Sequence, residues 1–594
     1  MKKLLLSLVS IIIFAPVPAQ TQKEIPHWLD PSVVNIGKEL PRGDVVSHDT
    51  KDEAIRKTYH KSKYLQPLTE WTSSDRGDAV VFKTRYKIPF EWIDREQFIY
   101  LGKVSTSFDV MVNGQLVGYS QTGSTPSEFD VTMISQEGNN DLEIVVYKEP
   151  AALKLENSRE PTAPQIPGEV YVLSQPKMRV RDIFVDTRME GTNGLLQLGV
   201  IMKSHQLNVK DYRVYYELIS PKGEILSEGY KDAVLNMRRE DTVRFFANVE
   251  NIMPWSHEEP RLYTLFIKTQ HEGRFKEYMS FQIGFRSLDF KEGLIHLNNT
   301  PLKITMREFA PTSDMTAMRS QIEALRAEGV NTLRLKGAPP SHQFYQLCDE
   351  IGIYLCNQAD IDTHLSGTSR KRDGNPSNIP VWEGAYRDRV MNMYHTSKNS
   401  PSMIMFSIAD ESFNGYNLYE SYLALKSIER HRPVIYTDGG EWNNDPLDFD
   451  AMDRIRYRNE DKWALITPED VSAGQFRVHN TRHFTPIIGE AVYKIAVGNK
   501  VVSRGSVPIE VIPKGATDFI IPISGVRPGK KFVVQIEVRI ERPVNKYVLS
   551  GKSSEKKVFR DAGATVADKD KIVIERRSFP SGRMAASVRT TGVR

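Results

Sequence analysis

Hydrophobic and polar positions alternate with a period of two through much of residues 75–288, and that pattern predicts strands. Residues 108–119 hold two alternating runs around Asn113-Gly114. This is a two-residue hairpin signal, because such a turn needs positive φ at both positions. Residues 129–131 and 142–147 add strands across a Gly138-Asn139-Asn140 turn, so residues 75–178 read as an antiparallel sandwich. Similar runs at 212–219, 244–249, 262–269 and 278–283 predict a second sandwich of immunoglobulin size over 179–288. Residues 20–74 read as an N-terminal arm.

Near residue 289 the period changes. Helical spacing at 318–329, 341–350, 382–397 and 416–430 alternates with apolar runs at 331–335, 353–356, 402–408 and 433–436. Strands that alternate with helices predict a parallel sheet with crossovers. After residue 460 the pattern is strand-only again, at 493–497, 501–503, 507–511, 519–523 and 532–540, which predicts a third sandwich over 461–560. Residues 561–594, with Lys569, Lys571, Arg576, Arg577, Arg583, Arg589 and Arg594, read as a solvated basic tail.

Composition narrows the class. The 594 residues are too many for one core and predict several domains. With 79 basic against 75 acidic residues the net charge is +4, which gives no reason to expect a nucleic-acid partner. Cys348 and Cys356 are the only cysteines, which excludes a disulfide scaffold; both sit in apolar runs and read as core. Lys2 and Lys3, an apolar run to Phe14 and small residues ending at Ala19 make residues 1–19 a secretory signal, and the mature chain is expected in the periplasm or medium. That run is too short to span a bilayer, and no later one does.

The chemistry concentrates after the run at 402–408. It ends in Ala409-Asp410-Glu411-Ser412, followed by Asn414 and Gly415. Acids at the C-terminal end of a buried strand are where an α/β barrel places catalysis. A retaining glycosidase needs two such carboxyls, one as acid/base and one as nucleophile. Pro486-Ile487-Ile488-Gly489-Glu490 resembles the nucleophile strand of glycoside hydrolase family 2, and that resemblance makes Glu490 the candidate partner of Glu411. The competing reading puts Glu490 between the first strands of the last sandwich, at 476–480 and 493–495.

Several segments, in order, are similar to glycoside hydrolase family 2, especially bacterial β-galactosidases. Val112-Asn113-Gly114, Val117-Gly118-Tyr119-Ser120 and Pro126-Ser127-Glu128-Phe129-Asp130 resemble its sugar-binding jelly roll. Leu347-Cys348-Asp349 with Gly352-Ile353-Tyr354 resembles the barrel's third helix and strand, and Ser400-Pro401-Ser402 through Glu411 its acid/base strand. Arg432-Pro433-Val434-Ile435-Tyr436 resembles the next strand; Gly498-Asn499-Lys500 and Val507-Pro508-Ile509 resemble the sandwich beyond.

The resemblance implies a jelly-roll sandwich, an immunoglobulin-like sandwich, a TIM-type (β/α) barrel at 289–460 and a C-terminal β-sandwich. It implies Glu411 as acid/base, Asp410 and Arg334 as substrate contacts, and Asp362, His364 and Glu411 as ligands of Mg2+. It also matches Glu156 to a sugar-contacting acid of a jelly-roll loop. Asp410 stands where the family has asparagine, which exchanges an amide for an acceptor-only anion. Leu335-Lys336-Gly337 and Met306-Arg307-Glu308-Phe309 depart from the family's sugar-contacting runs, and residues 160–171 lack its aromatic-arginine loop. Eight βα units need about 250 residues, whereas roughly 170 lie at 289–460, enough for about five. The barrel is therefore expected to be incomplete, and a partner chain or dimer is one way to cover its edges. Two readings follow: hydrolysis of O-glycosidic bonds in a carbohydrate such as a β-galactoside, or a carbohydrate-binding pseudoenzyme or scaffold of the same family.

Overall fold

The computed structural model describes residues 25–435 and 464–540, apart from 57–61, 157–162, 292–293, 340, 368, 370, 372–373, 414, 483 and 528–529. It also describes the backbone of the strands Ser554–Thr565, Ile572–Ser578 and Met584–Thr590. The signal at 1–19, Asn414 and Tyr436 lie outside the described residues. Among the described residues no helix is long and apolar enough to cross a membrane.

The first sandwich packs a six-stranded against a four-stranded sheet. Asn113 and Gly114 both have positive φ, 50° and 77°, as the hairpin requires. The N-terminal arm is not separate. Asn35–Ile36 pairs with Tyr119 and Ser120, Leu65–Pro67 with Leu173 to Tyr171, and Thr72–Asp75 with Lys83 to Val80. The fully buried Arg42–Glu128 pair, bonded at 2.9 and 2.8 Å, clamps it down.

The second sandwich sets a three-stranded sheet on a four-stranded one around Val200, Leu218, Leu265 and Phe285. At its seam with the arm, Glu277 is fully buried and accepts from Ser47 Oγ, Val180 N and Thr269 Oγ1, each at 3.0 Å. Burial still pushes this carboxyl up to about 7 from the usual 4.5. The folded chain therefore holds the proton more tightly than the unfolded one. The resulting stability is present below about pH 4.5 and is lost as pH rises through about 7. Glu277→Gln should flatten this part of the stability–pH curve in denaturant titrations; an unchanged slope between pH 5 and about 7 would contradict the assignment.

Five parallel strands follow in sequence order: β1 (Met306–Phe309), β2 (Thr332–Leu335), β3 (Tyr354–Gln358), β4 (Met403–Ser407) and β5 (Val434–Ile435). Between them run α1 (Met315–Ala327), α2 (Gln343–Ile351), α3 (Glu383–Ser397) and α4 (Tyr416–Ile428). Asp314 caps α1 by accepting from Thr316 N and Ala317 N, and Gly352 ends α2 at φ 78°, as its position after the apolar run predicts. Met403, Phe406 and Leu355 pack on one side with Ile322, Phe344, Val390 and Leu418 from the helices. Ile404, Met405 and Cys356 pack on the other with Trp255 and Leu297. Both cysteines are buried and free.

The last sandwich pairs a sheet of 464–470, 475–480 and 516–520 with one of 487–497, 500–511, 531–540 and 554–565. Where a solvated tail is expected, Ile572–Ser578 pairs with Met584–Thr590. The β-branched Ile572-Val573-Ile574 explains the strand, and the basic residues around it obscure that signal.

Candidate functional site

The site is built where β3 and β4 end. Both faces of β4 are covered, so its five residues and then Ile408 and Ala409 are wholly buried. Asp410 and Glu411 are the first side chains to leave that core. Asp410 N donates to Ile361 O at 2.8 Å, and Thr363 N donates to Ser412 Oγ at 2.9 Å. These bonds lay the exits of β3 and β4 side by side. Asn375 Nδ2 donates to Thr363 O at 3.1 Å and to Gly367 O at 2.7 Å, which holds the loop beneath them.

Three side chains converge there. His364 Nδ1 lies 2.7 Å from Asp362 Oδ1 and 3.8 Å from Glu411 Oε2. One ligating atom from each of Asp362, His364 and Glu411 lies within 4.8 Å of the others. Two carboxylates and an imidazole at this spacing could hold a divalent cation. The Glu411 side chain is 59% exposed, so its carboxyl is open to a ligand from solvent.

Arg334 reaches the same opening from β2. It donates from Nη2 to Asp410 Oδ1 and from Nε to Gln358 Oε1, both at 2.9 Å. The anion at position 410 thus has a counter-ion from two strands away. Gln358 is a site residue that sequence reasoning missed; only its place at the end of β3 could have signalled it.

Glu156 does not face the opening as a sugar contact. It is buried at the end of a short turn from the first sandwich, and Arg389 of α3 donates to its Oε1 at 2.6 Å. Burial and Asp360 push its carboxyl up, and Arg389 pulls it back, leaving it at about 8. The segment still shapes the site, because Asp362 N donates to Leu155 O at 2.6 Å and Glu156 bridges Asp362 in parallel register.

Glu490 lies elsewhere in the fold. It is inside the strand Ile487–Val497 of the last sandwich, across from Pro508 on one side and Arg539 on the other. Ala491, Tyr493 and Ile495 of that strand are buried, and this apolar face fixes the strand in an antiparallel sheet rather than at the mouth of a parallel one.

Three stretches match models of one family. Residues 307–500 match "Glycosyl hydrolases family 2, TIM barrel domain", residues 42–176 its "sugar binding domain", and residues 178–286 "Glycosyl hydrolases family 2". The barrel match runs beyond β5 into the antiparallel strands. A β-galactosidase of Clostridium acetobutylicum is 28% identical over 404 residues, which is 64% of this chain and 44% of that protein. One of Streptococcus thermophilus is 31% identical over 380 residues, 61% of this chain and 36% of that protein. The matched stretch thus covers less than half the length of either relative. Among solved structures, a β-D-glucuronidase from Dictyoglomus thermophilum aligns with TM-score 0.53 and 18% identity, over 64% of this chain and 74% of that one. A Ruminococcus gnavus β-glucuronidase in complex with D-glucaro 1,5-lactone aligns at 0.53 and 17%, with coverage of 64% and 73%. These two likenesses support the fold.

Proposed function

The chain belongs to glycosyl hydrolases family 2, and from that premise we propose that it cleaves O-glycosidic bonds of a β-galactoside or a similar sugar at the ends of β2–β4. The observation that carries this reading is Glu411, an open carboxyl at the end of a wholly buried strand, held beside Asp362 and His364. Glu411 would give a proton to the leaving oxygen as the glycosidic bond breaks, and take one from the water whose oxygen ends up bonded to the anomeric carbon. As a carboxylate Asp410 can only accept, so it suits the hydroxyl hydrogens of a sugar ring, and Arg334 orients it.

Asp362, His364 and Glu411 would hold Mg2+, for which two oxygen donors and one imidazole are an acceptable set. When bound, that ion supplies positive charge that steadies neighbouring carboxylates. The His364–Asp362 contact and the Leu155 O bond keep two of these side chains in place on the protein's own account. Residues 1–19 support export to the periplasm or medium.

The test is hydrolysis of 4-nitrophenyl β-D-galactoside and β-D-glucuronide by the full chain. Turnover of one of them is expected, with galactose or glucuronate as competitor identifying the sugar. Saturable sugar binding with no turnover of either would replace hydrolysis by a carbohydrate-binding role.

A further inference from the structure

We propose that Glu96, Asp130 and His205 form a second divalent-cation site, which fastens the first sandwich to the second. Glu96 opens the strand Glu96–Leu101, and Asp130 closes the neighbouring strand Ser127–Asp130. Phe98 lies opposite Asp130 in that ladder, so Glu96 is on the same face, one diagonal step away. His205 follows the strand Asn193–Ser204 of the other sandwich, and its backbone N–H donates to Lys177 O at 2.6 Å. One ligating atom from each of the three lies within 4.8 Å of the others, with His205 Nδ1 3.5 Å from Glu96 Oε2. Ligands at 2.0–2.2 Å in tetrahedral array sit about 3.4 Å apart, so small side-chain rotations close the trio on one ion.

The Glu96 side chain is only 9% exposed, and His205 is its single ion-pairing neighbour among the described residues. Thr132 also hydrogen-bonds that carboxyl, and Lys177 and Arg179 lie within electrostatic reach of it. His205 presents Nδ1 to Glu96, and an imidazole nitrogen is a common metal ligand. Its Nε2 is buried and without a hydrogen bond. Thr132 N donates to Asp130 Oδ1 at 2.9 Å and orients that carboxylate, as partners behind metal ligands do. Two carboxylates and one imidazole suit Zn2+ or Mn2+; Ca2+ wants six to eight oxygens. The proposal is independent of any hydrolysis at Glu411.

The test titrates Zn2+ calorimetrically into the EDTA-stripped full chain carrying His364→Ala, which dismantles the trio at the ends of β3 and β4. One equivalent should bind. Adding Asp130→Asn or His205→Ala should weaken that binding at least about tenfold. No binding in the His364→Ala chain, or undiminished binding in both double variants, would overturn the site. Should the double variants fail to fold by circular dichroism, a zinc-edge anomalous map of the wild-type chain decides. A peak among the three side chains supports the site, and its absence at saturating Zn2+ refutes it.

Discussion

Glu411→Ala should lower kcat/KM for an alkyl β-glycoside by about 100- to 10,000-fold, the range that positioned proton transfer contributes. The effect should fall on kcat more than on KM. The Glu411 side chain is 59% exposed, with His364 as its ion-pairing neighbour, so its removal leaves no buried group stranded and the fold should be unaffected. Arg334, Asp410 and Gln358 bond to one another without Glu411, so the polar floor beside it persists. Steady-state kinetics with matched circular dichroism spectra check this. A variant with wild-type kcat would remove Glu411 from the reaction.

Arg389→Ala should cost about 3–5 kcal/mol of stability, the usual consequence of removing one member of a buried pair. Arg389 is fully buried and also donates to Gln121 Oε1 at 3.1 Å, so it ties α3 to two segments of the first sandwich. Without it the Glu156 carboxyl loses its partner and stays buried in the protonated form that burial already favours. Glu156 adjoins Leu155, whose carbonyl holds Asp362, so the loss reaches the site. The double variant Glu156→Gln, Arg389→Met should recover much of the stability, because methionine refills the space and no ionisable group is left buried without a partner. Denaturant midpoints measure both. A loss below about 1 kcal/mol for Arg389→Ala would show that the pair is not a structural tie.

Much of the barrel region was legible in the sequence, and the reason is local. Helices α1 and α2 carry their own apolar stripes, and each strand of β2–β5 its own apolar run, so periodicity locates them to within a few residues. Asn113-Gly114 is legible for the same reason, since a two-residue turn declares itself. The arm was not, because its strands are only two to four residues long and two of them exist through partners far along the chain, such as Tyr119 for Ile36. The strands after residue 571 were hidden among basic residues. Within the site, the resemblance named Asp362, His364, Arg334, Asp410 and Glu411, and the structure brings these five together. The fixing of Asp410 by Arg334 and Gln358 was invisible, since neither spacing nor composition records contacts 76 and 24 positions apart. Glu156 has the right residue type, but its partner Arg389 lies 233 residues away and turns it into a tie between domains. Glu490 shows the converse: a short Gly-Glu motif looked like chemistry, while the alternation around it fixed a sandwich strand.

The central claim is that Glu411 protonates the leaving oxygen of a bound glycoside. Its most direct test is the dependence of kcat/KM on leaving-group acidity, measured for a series of aryl β-glycosides with the wild type and Glu411→Ala. The wild type should show a shallow dependence, because protonation by Glu411 offsets a poor leaving group. The variant should show a steep one, with poorly acidic phenols slowed far more than dinitrophenol. Parallel dependences in the two proteins would contradict the claim.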